Sequence, residues 1–178
     1  MAASQQETAD ERRFADWVRA HGKAVHGFLL AMVRRQDVAD DLSQEVFCRA
    51  WKARQRYSEQ GNTRAYLLRI ADRLVCDLAR RGEPNTNLDA DGWKRHEPVS
   101  CDAEPSRAAA LAEEVAELTR ALEQLSPAQR RILLLRYYGQ MGFQEIADTV
   151  GCPLNTTLSH CRRGLETLRK LLLVEKKP

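Results

Sequence analysis

Apolar residues recur along this chain at steps of three and four and almost never alternate, so the pattern predicts helices from one end to the other. From Phe14 to Val33, one stripe carries Phe14, Trp17, Val18, His21, Val25, Phe28, Leu29 and Met32. Asp37, with Asp40 three residues on, reads as the N-cap of a second helix striped by Val38, Leu42, Val46, Phe47, Ala50 and Trp51. The stretch "RYSEQGNT" interrupts the period, and a third helix from about Thr63 to Arg81 is expected to bury Tyr66, Leu67, Ile70, Leu74, Val75 and Leu78. Residues 82 to about 104, "GEPNTNLDADGWKRHEPVSCDAE", have neither period and read as a linker in which Trp93 is either a docking residue or a surface side chain.

Beyond the linker, Leu111, Val115, Leu118, Leu122 and Leu125 keep a helical stripe up to Ser126. There Ser126, Pro127 and Gln129 fit a capping box that opens a helix carrying Ile132, Leu133, Leu135 and Tyr137 and stopping near Gly139. Gly142 opens a short helix with Phe143, Ile146, Ala147 and Val150 inward, and Gly151 ends it. The last helix starts near Leu154 or Asn155. Thr157, Cys161, Gly164, Leu165, Leu168 and Leu171 are expected inside, with Thr156, Leu158, Ser159, His160, Arg162 and Arg163 outside. The fold expected is all-α: two small helical domains, residues 1–81 and 106–178, joined by a flexible acidic linker over 82–105.

An apolar fraction of 43% supports packed cores. Charge interrupts the longest apolar runs well short of the roughly 20 residues a membrane span needs, and no basic-then-apolar leader precedes the first helix, so a cytoplasmic protein without membrane contact of its own is expected. The five cysteines lie at irregular intervals without a CxxC pair and read as reduced thiols; adjacent His160 and Cys161 point in different directions on a helix, so no metal site is expected. Net charge is only +3, yet basic residues gather at Arg64, Arg69, Arg73, Arg80 and Arg81, and again at Arg162, Arg163, Arg169 and Lys170.

The stretch "GFQEIADTVGCPLNTTLSHCRRG" places two short amphipathic helices around a tight Gly-containing bend, the second with a polar outer face. This is a helix-turn-helix arrangement, although a hairpin inside an ordinary bundle has the same periodicity. As a DNA reader, the second helix would enter the major groove with Asn155, Thr156, Ser159 and His160 suited to base edges and Arg162 and Arg163 suited to bases or phosphates.

The segment "LEQLSPAQRRILLLRYYGQMGFQEIADTVGCPLNTTLSHCRRGLETLRKLL" resembles region four of bacterial extracytoplasmic-function sigma factors. Upstream, "DVADDLSQEVFCRAWKARQRY" resembles the polymerase-binding helix of sigma region two, and "NTRAYLLRIADRLVCDLARR" resembles its minus-ten recognition and melting helix. The resemblance implies a specificity subunit that binds core RNA polymerase, directs it to promoter DNA and helps separate the strands, without cofactor and without catalysis of its own. It implies that Asp37, Asp40, Asp41, Leu42, Gln44, Glu45, Phe47, Arg49 and Trp51 lie on the polymerase-binding helix. Within that set the stripe puts Leu42, Val46 and Trp51 inward and Asp41, Gln44, Glu45 and Arg49 outward. For the minus-ten element it implies a polar loop from Tyr57 to Thr63, including Asn62 and Thr63, that receives an extruded base, with Arg64, Arg69, Arg73, Arg80 and Arg81 as phosphate partners.

The chain departs from the family pattern where Thr63, Tyr66 and Leu68 replace common aromatics, which implies fewer stacking surfaces and a dependence on a favourable minus-ten sequence. It departs again at Thr157, usually aliphatic, and at Leu158 and His160, often arginines. Leu158 either meets a thymine methyl or rests against a neighbouring helix or a regulator. Members are commonly held by an anti-sigma factor; the linker would let the domains span promoter elements or fold around such an inhibitor, and the tail "VEKKP" leaves no room for a further regulatory domain. Two other readings remain at this point. A stand-alone helix-turn-helix regulator would leave the polymerase-binding motif without purpose, and a sigma-like protein-binding adaptor would leave the basic third helix unexplained. No nucleophile–base pair, phosphate-cradling loop or clustered carboxylates at useful spacing points to an enzyme.

Overall fold

A computed structural model describes residues 2–54, 62–81 and 105–174. The expected base-receiving loop up to Gly61 and the linker with Trp93 lie outside the described residues. The elements are α1 (Ala2–Val33), α2 (Gln36–Lys52), α3 (Thr63–Arg80), α4 (Pro105–Glu123), α5 (Pro127–Tyr137), α6 (Phe143–Val150) and α7 (Leu154–Val174). Two compact units result, one of Met1–Asp89 with Leu135–Met141, the other of Ala90–Leu134 with Gly142–Pro178.

In the first unit α1, α2 and α3 pack against one another in every pairing. The stripes read from the sequence supply much of the core, with Val25, Phe28, Leu29, Val46, Ala50 and Leu67 fully buried, and Leu68 and Ala71, outside the stripe expected for α3, complete it. Removing such side chains from water is the main stabilising contribution, about 1.5–3 kcal/mol for each large one. An aromatic cluster extends this core. Phe14 on α1 meets Trp51 at 5.0 Å and Phe47 at 6.1 Å between ring centroids, and Trp17 meets Tyr66 at 6.5 Å. Trp51 is only half-buried.

Three expectations need correction here. Helix α1 starts well before Phe14, because a polar helix entry carries no apolar stripe to announce it. Asp37 is not an N-cap. The cap position is Arg35, in extended backbone and without a side-chain cap bond, while Asp37 sits in the first turn and pairs with the Arg35 guanidinium. The junction explains the shift: Arg34 adopts the left-handed conformation, φ 60°, and its N–H closes α1 on Leu30 O at 2.8 Å, so α2 restarts at once. Finally, Tyr66, Ile70 and Leu78 are half-buried, while Asp72, which the stripe did not include, is buried within α3.

In the second unit the expected capping box is formed. Gln129 N–H donates to Ser126 Oγ at 3.3 Å, and Ser126 N–H donates to Gln129 Oε1 at 3.1 Å. One turn on, the buried Arg130 donates from Nε to Leu122 O at 3.0 Å and from Nη2 to Glu123 O at 3.1 Å, so its guanidinium satisfies carbonyls left over at the end of α4. Burial pushes its pKa down from the usual value. Helices α5 and α7 approach closely at Gly164, where an added Cβ would lie 2.9 Å from Leu133 Cδ1.

The α4 stripe is not wholly inside: Leu125 and Ala121 are buried, but Val115 is 50% exposed and Leu118 44%. Leu165, expected inside, is 39% exposed, since the buried face of α7 runs through Thr157, Cys161 and Gly164 and Leu165 stands on its flank.

Candidate nucleic-acid interface

Helix α6 is opened at Gly142, whose N–H donates to Glu145 Oε2 at 3.3 Å. It is closed by Gly151 at φ 72°, whose N–H reaches Ala147 O at 2.9 Å. That left-handed residue is what permits so short a bend, because a Cβ there would be strained. The chain re-enters helix at Leu154. Thr157 is fully buried, and its hydroxyl donates to Pro153 O at 3.3 Å and lies 3.1 Å from Cys152 Sγ, so the unusual polar residue at this inner position is satisfied within the turn itself.

With Thr157, Cys161 and Gly164 facing in, α7 presents Asn155, Thr156, Ser159, Arg162 and Arg163 to solvent on its opposite side. Arg162 lies 3.7 Å from Glu166, and Arg163 Nε donates to Ser159 O at 3.3 Å. Both contacts are at the surface, weak, and readily exchanged for phosphates. His160 stands apart: it is half-buried and its Nδ1 is shielded without a hydrogen-bond partner, so only the other edge of the ring can be offered outward. Leu158, 40% exposed, belongs to the apolar flank shared with Leu154 and Leu165.

In the first unit, Asn62 caps α3, its side-chain oxygen accepting from Arg64 N–H at 3.0 Å and Ala65 N–H at 3.4 Å. Its amide nitrogen donates to Gly139 O at 3.3 Å inside the same unit. Arg69, Arg73, Arg80 and Arg81 are exposed along α3, Arg80 pairing with Asp77, while Thr63 and Arg64 are half-buried. Arg64 Nε is buried without a hydrogen-bond partner. Burial first, and the Arg64 charge second, push the His21 imidazole below its ordinary 6.5. Of the family's aromatic positions, Leu68 is fully buried and Tyr66 is engaged with Trp17, so neither is a stacking platform in this arrangement.

On α2, Asp41, Gln44 and Arg49 are exposed and Glu45 is half-exposed, bonded by Arg49 Nε at 2.6 Å. The Arg49 hydrogen bond holds the Glu45 carboxyl below its usual range, as Arg35 does for Asp37. Asp40 is drawn toward α1, accepting from Gln36 Nε2 at 3.0 Å and lying 2.9 Å from His26 Nε2. Phe47, in the candidate set, packs edge-on against Phe14. Among the described residues no cluster of potential metal ligands occurs, and no helix is long and apolar enough to cross a membrane.

A helix lined with exposed arginines in one compact unit and a helix-turn-helix in the other are features of a nucleic-acid-binding protein. Residues 17–83 match the family Sigma-70 region 2, and residues 116–168 match Sigma-70, region 4. A probable RNA polymerase sigma-C factor of Mycobacterium bovis is 32% identical over 164 residues, covering 84% of both chains. The ECF RNA polymerase sigma factor SigW of Bacillus subtilis is 25% identical over 92% of this chain and 90% of its own. Among solved structures, the sigma factor RpoE of Bartonella quintana, crystallised with the anti-sigma factor NepR, superposes with TM-score 0.68 at 20% identity over 93% of this chain and 99% of that one. CnrH, solved with the cytosolic domain of CnrY, gives 0.65 at 22% identity over 98% and 96%. The chain belongs to the ECF family of RNA polymerase sigma factors. It is an alternative sigma factor, a subunit that gives RNA polymerase its promoter specificity.

Proposed function

We propose that the two reading surfaces divide promoter recognition between them. Asn155, Thr156, Ser159 and His160 contact base edges of a minus-35 duplex, with Arg162 and Arg163 on bases or phosphates. Asn62, Thr63, Arg64, Arg69, Arg73, Arg80 and Arg81 serve the minus-ten strand once it is unpaired, and Asp37, Asp40, Asp41, Gln44, Glu45, Phe47 and Arg49 form the side of α2 that meets core polymerase. The observation that carries this reading is the outer face of α7, five polar or basic side chains exposed together directly after the Gly151 bend. The protein acts in the cytoplasm, without a metal or cofactor and without catalysis of its own. The linker over 82–105 lets residues 1–81 and 106–178 reach the two promoter elements as separate domains. Because RpoE of Bartonella quintana is known bound to an anti-sigma factor, the same kind of inhibitor is proposed to hold this chain until it is released to polymerase.

Gel filtration of the purified chain with bacterial core RNA polymerase tests the reading. Wild type is expected to form a stoichiometric complex, and a variant with Asp41→Arg and Arg49→Glu together is expected to lose it. Salt-sensitive duplex binding by the chain alone, with no polymerase complex, would sink the assignment of α2.

A further inference from the structure

On the apolar flank of α7, Leu154 is 38% exposed, Leu158 40% and Leu165 39%. Leu158 is the one set among outward polar side chains. Asn155 lies three residues before it and Arg162 four after, both exposed, and these spacings bring side chains together on a helix surface, with about 5–6 Å between Cβ atoms. Thr157, one residue back and about 100° round the helix, is fully buried, which turns Leu158 to the edge of the outer face. At 40% exposure it is not sealed under a neighbouring helix.

The chemistry of a major groove leaves such a side chain one good partner. Base edges there present hydrogen-bond donors and acceptors, and the 5-methyl group of thymine is the apolar exception. Leu158 carries no polar side-chain atom. Set against a guanine, cytosine or adenine edge, it would strip water from a donor or acceptor and return no hydrogen bond, whereas the leucine and a thymine methyl both leave water favourably. Its place in the second turn of α7 is also in reach of bases, since the N-terminal residues of the second helix are those that meet base edges in a helix-turn-helix. We infer that Leu158 is a specificity-determining residue that reads the 5-methyl group of one thymine in the minus-35 duplex, beside the bases met by Asn155 and Arg162. The inference rests on the proposed minus-35 role of α7 and adds one apolar contact to its polar ones.

The experiment uses holoenzyme assembled from the full chain and core RNA polymerase, and promoter duplexes that wild-type holoenzyme selects from a pool randomised in the minus-35 element. Each thymine of the selected element is replaced singly by deoxyuridine, which removes the methyl group and keeps every hydrogen-bonding edge. Wild type is expected to lose about fourfold in affinity at one of these positions, the worth of burying one methyl group. Leu158→Ala is expected to bind the thymine duplex more weakly and to lose the distinction between thymine and deoxyuridine at that position alone. Leu165→Ala, two turns further along the same flank, is expected to keep it. A wild type indifferent to deoxyuridine at every position overturns the inference without any variant, and so does a Leu158→Ala protein that keeps the wild-type pattern or shares its loss with Leu165→Ala. If wild-type holoenzyme selects no minus-35 element, the minus-35 reading of α7 fails and the inference falls with it.

Discussion

Arg130 sits in the middle of a sequence run that reads as a polar helix face, yet its guanidinium is folded inward to satisfy the end of α4. Arg130→Met keeps the bulk and removes the donors, leaving buried carbonyls unpaired; equilibrium urea unfolding is expected to show a loss of about 2–4 kcal/mol. Gly151→Ala forces a Cβ into the left-handed region and should cost about 1 kcal/mol in the same measurement, with the side chains proposed to contact DNA untouched. His21 carries a pH signature. Its folded pKa is below the ordinary 6.5, so the unfolded chain binds the proton more readily, and stability contributed above 6.5 is lost as the pH falls through the lowered folded value. Unfolding midpoints measured downward from pH 7 should decline in that window, and His21→Gln should flatten the decline.

Helices were legible wherever an apolar stripe met a core: α3, α5, α6 and the start of α7 fall where their periodicity placed them, and the Ser126–Gln129 box marked its boundary in advance. What periodicity could not show is the direction of a charged side chain, since an arginine that caps carbonyls and one that faces water occupy similar places in the pattern. Arg130 and Asp72 were missed for that reason, and Asp37 was misread because the boundary was set by Arg34 one element earlier. The recognition face was more readable, since exposure of Asn155, Thr156, Ser159, Arg162 and Arg163 follows from burying Thr157, Cys161 and Gly164. His160 was not, because its ring leans toward the protein. The outward face of α7 yields a prediction of its own: Arg163→Ala should weaken minus-35 duplex binding across sequences and reduce the salt slope by about one ion, whereas Asn155→Ala should change base preference with the slope preserved. Fluorescence anisotropy at several salt concentrations separates the two.

Helix α2, proposed to meet polymerase, and α7, proposed to read duplex, lie in different compact units, with residues 82–104 between α3 and α4. If that stretch is a tether, lengthening it costs little: closing entropy grows only logarithmically, so inserting about ten Gly/Ser residues should lower transcription from a wild-type-spaced promoter by about threefold or less. Removing about ten should cut it much more, because the tether then falls short of its span. Run-off transcription across promoters of graded spacer length measures both.

In its proposed role, Asn62 also limits what the unpaired strand can be. Its carbonyl oxygen is committed to the backbone of α3, and the proposed partners Arg64, Arg69, Arg73, Arg80 and Arg81 have no lone pairs to share. In the proposed role Asn62 and these arginines meet the strand as hydrogen-bond donors, and of the proposed minus-ten contacts Thr63 alone carries a hydroxyl that can accept. Keto oxygens and ring nitrogens of an extruded base are welcome there, while the exocyclic amine of an adenine finds no acceptor on Asn62.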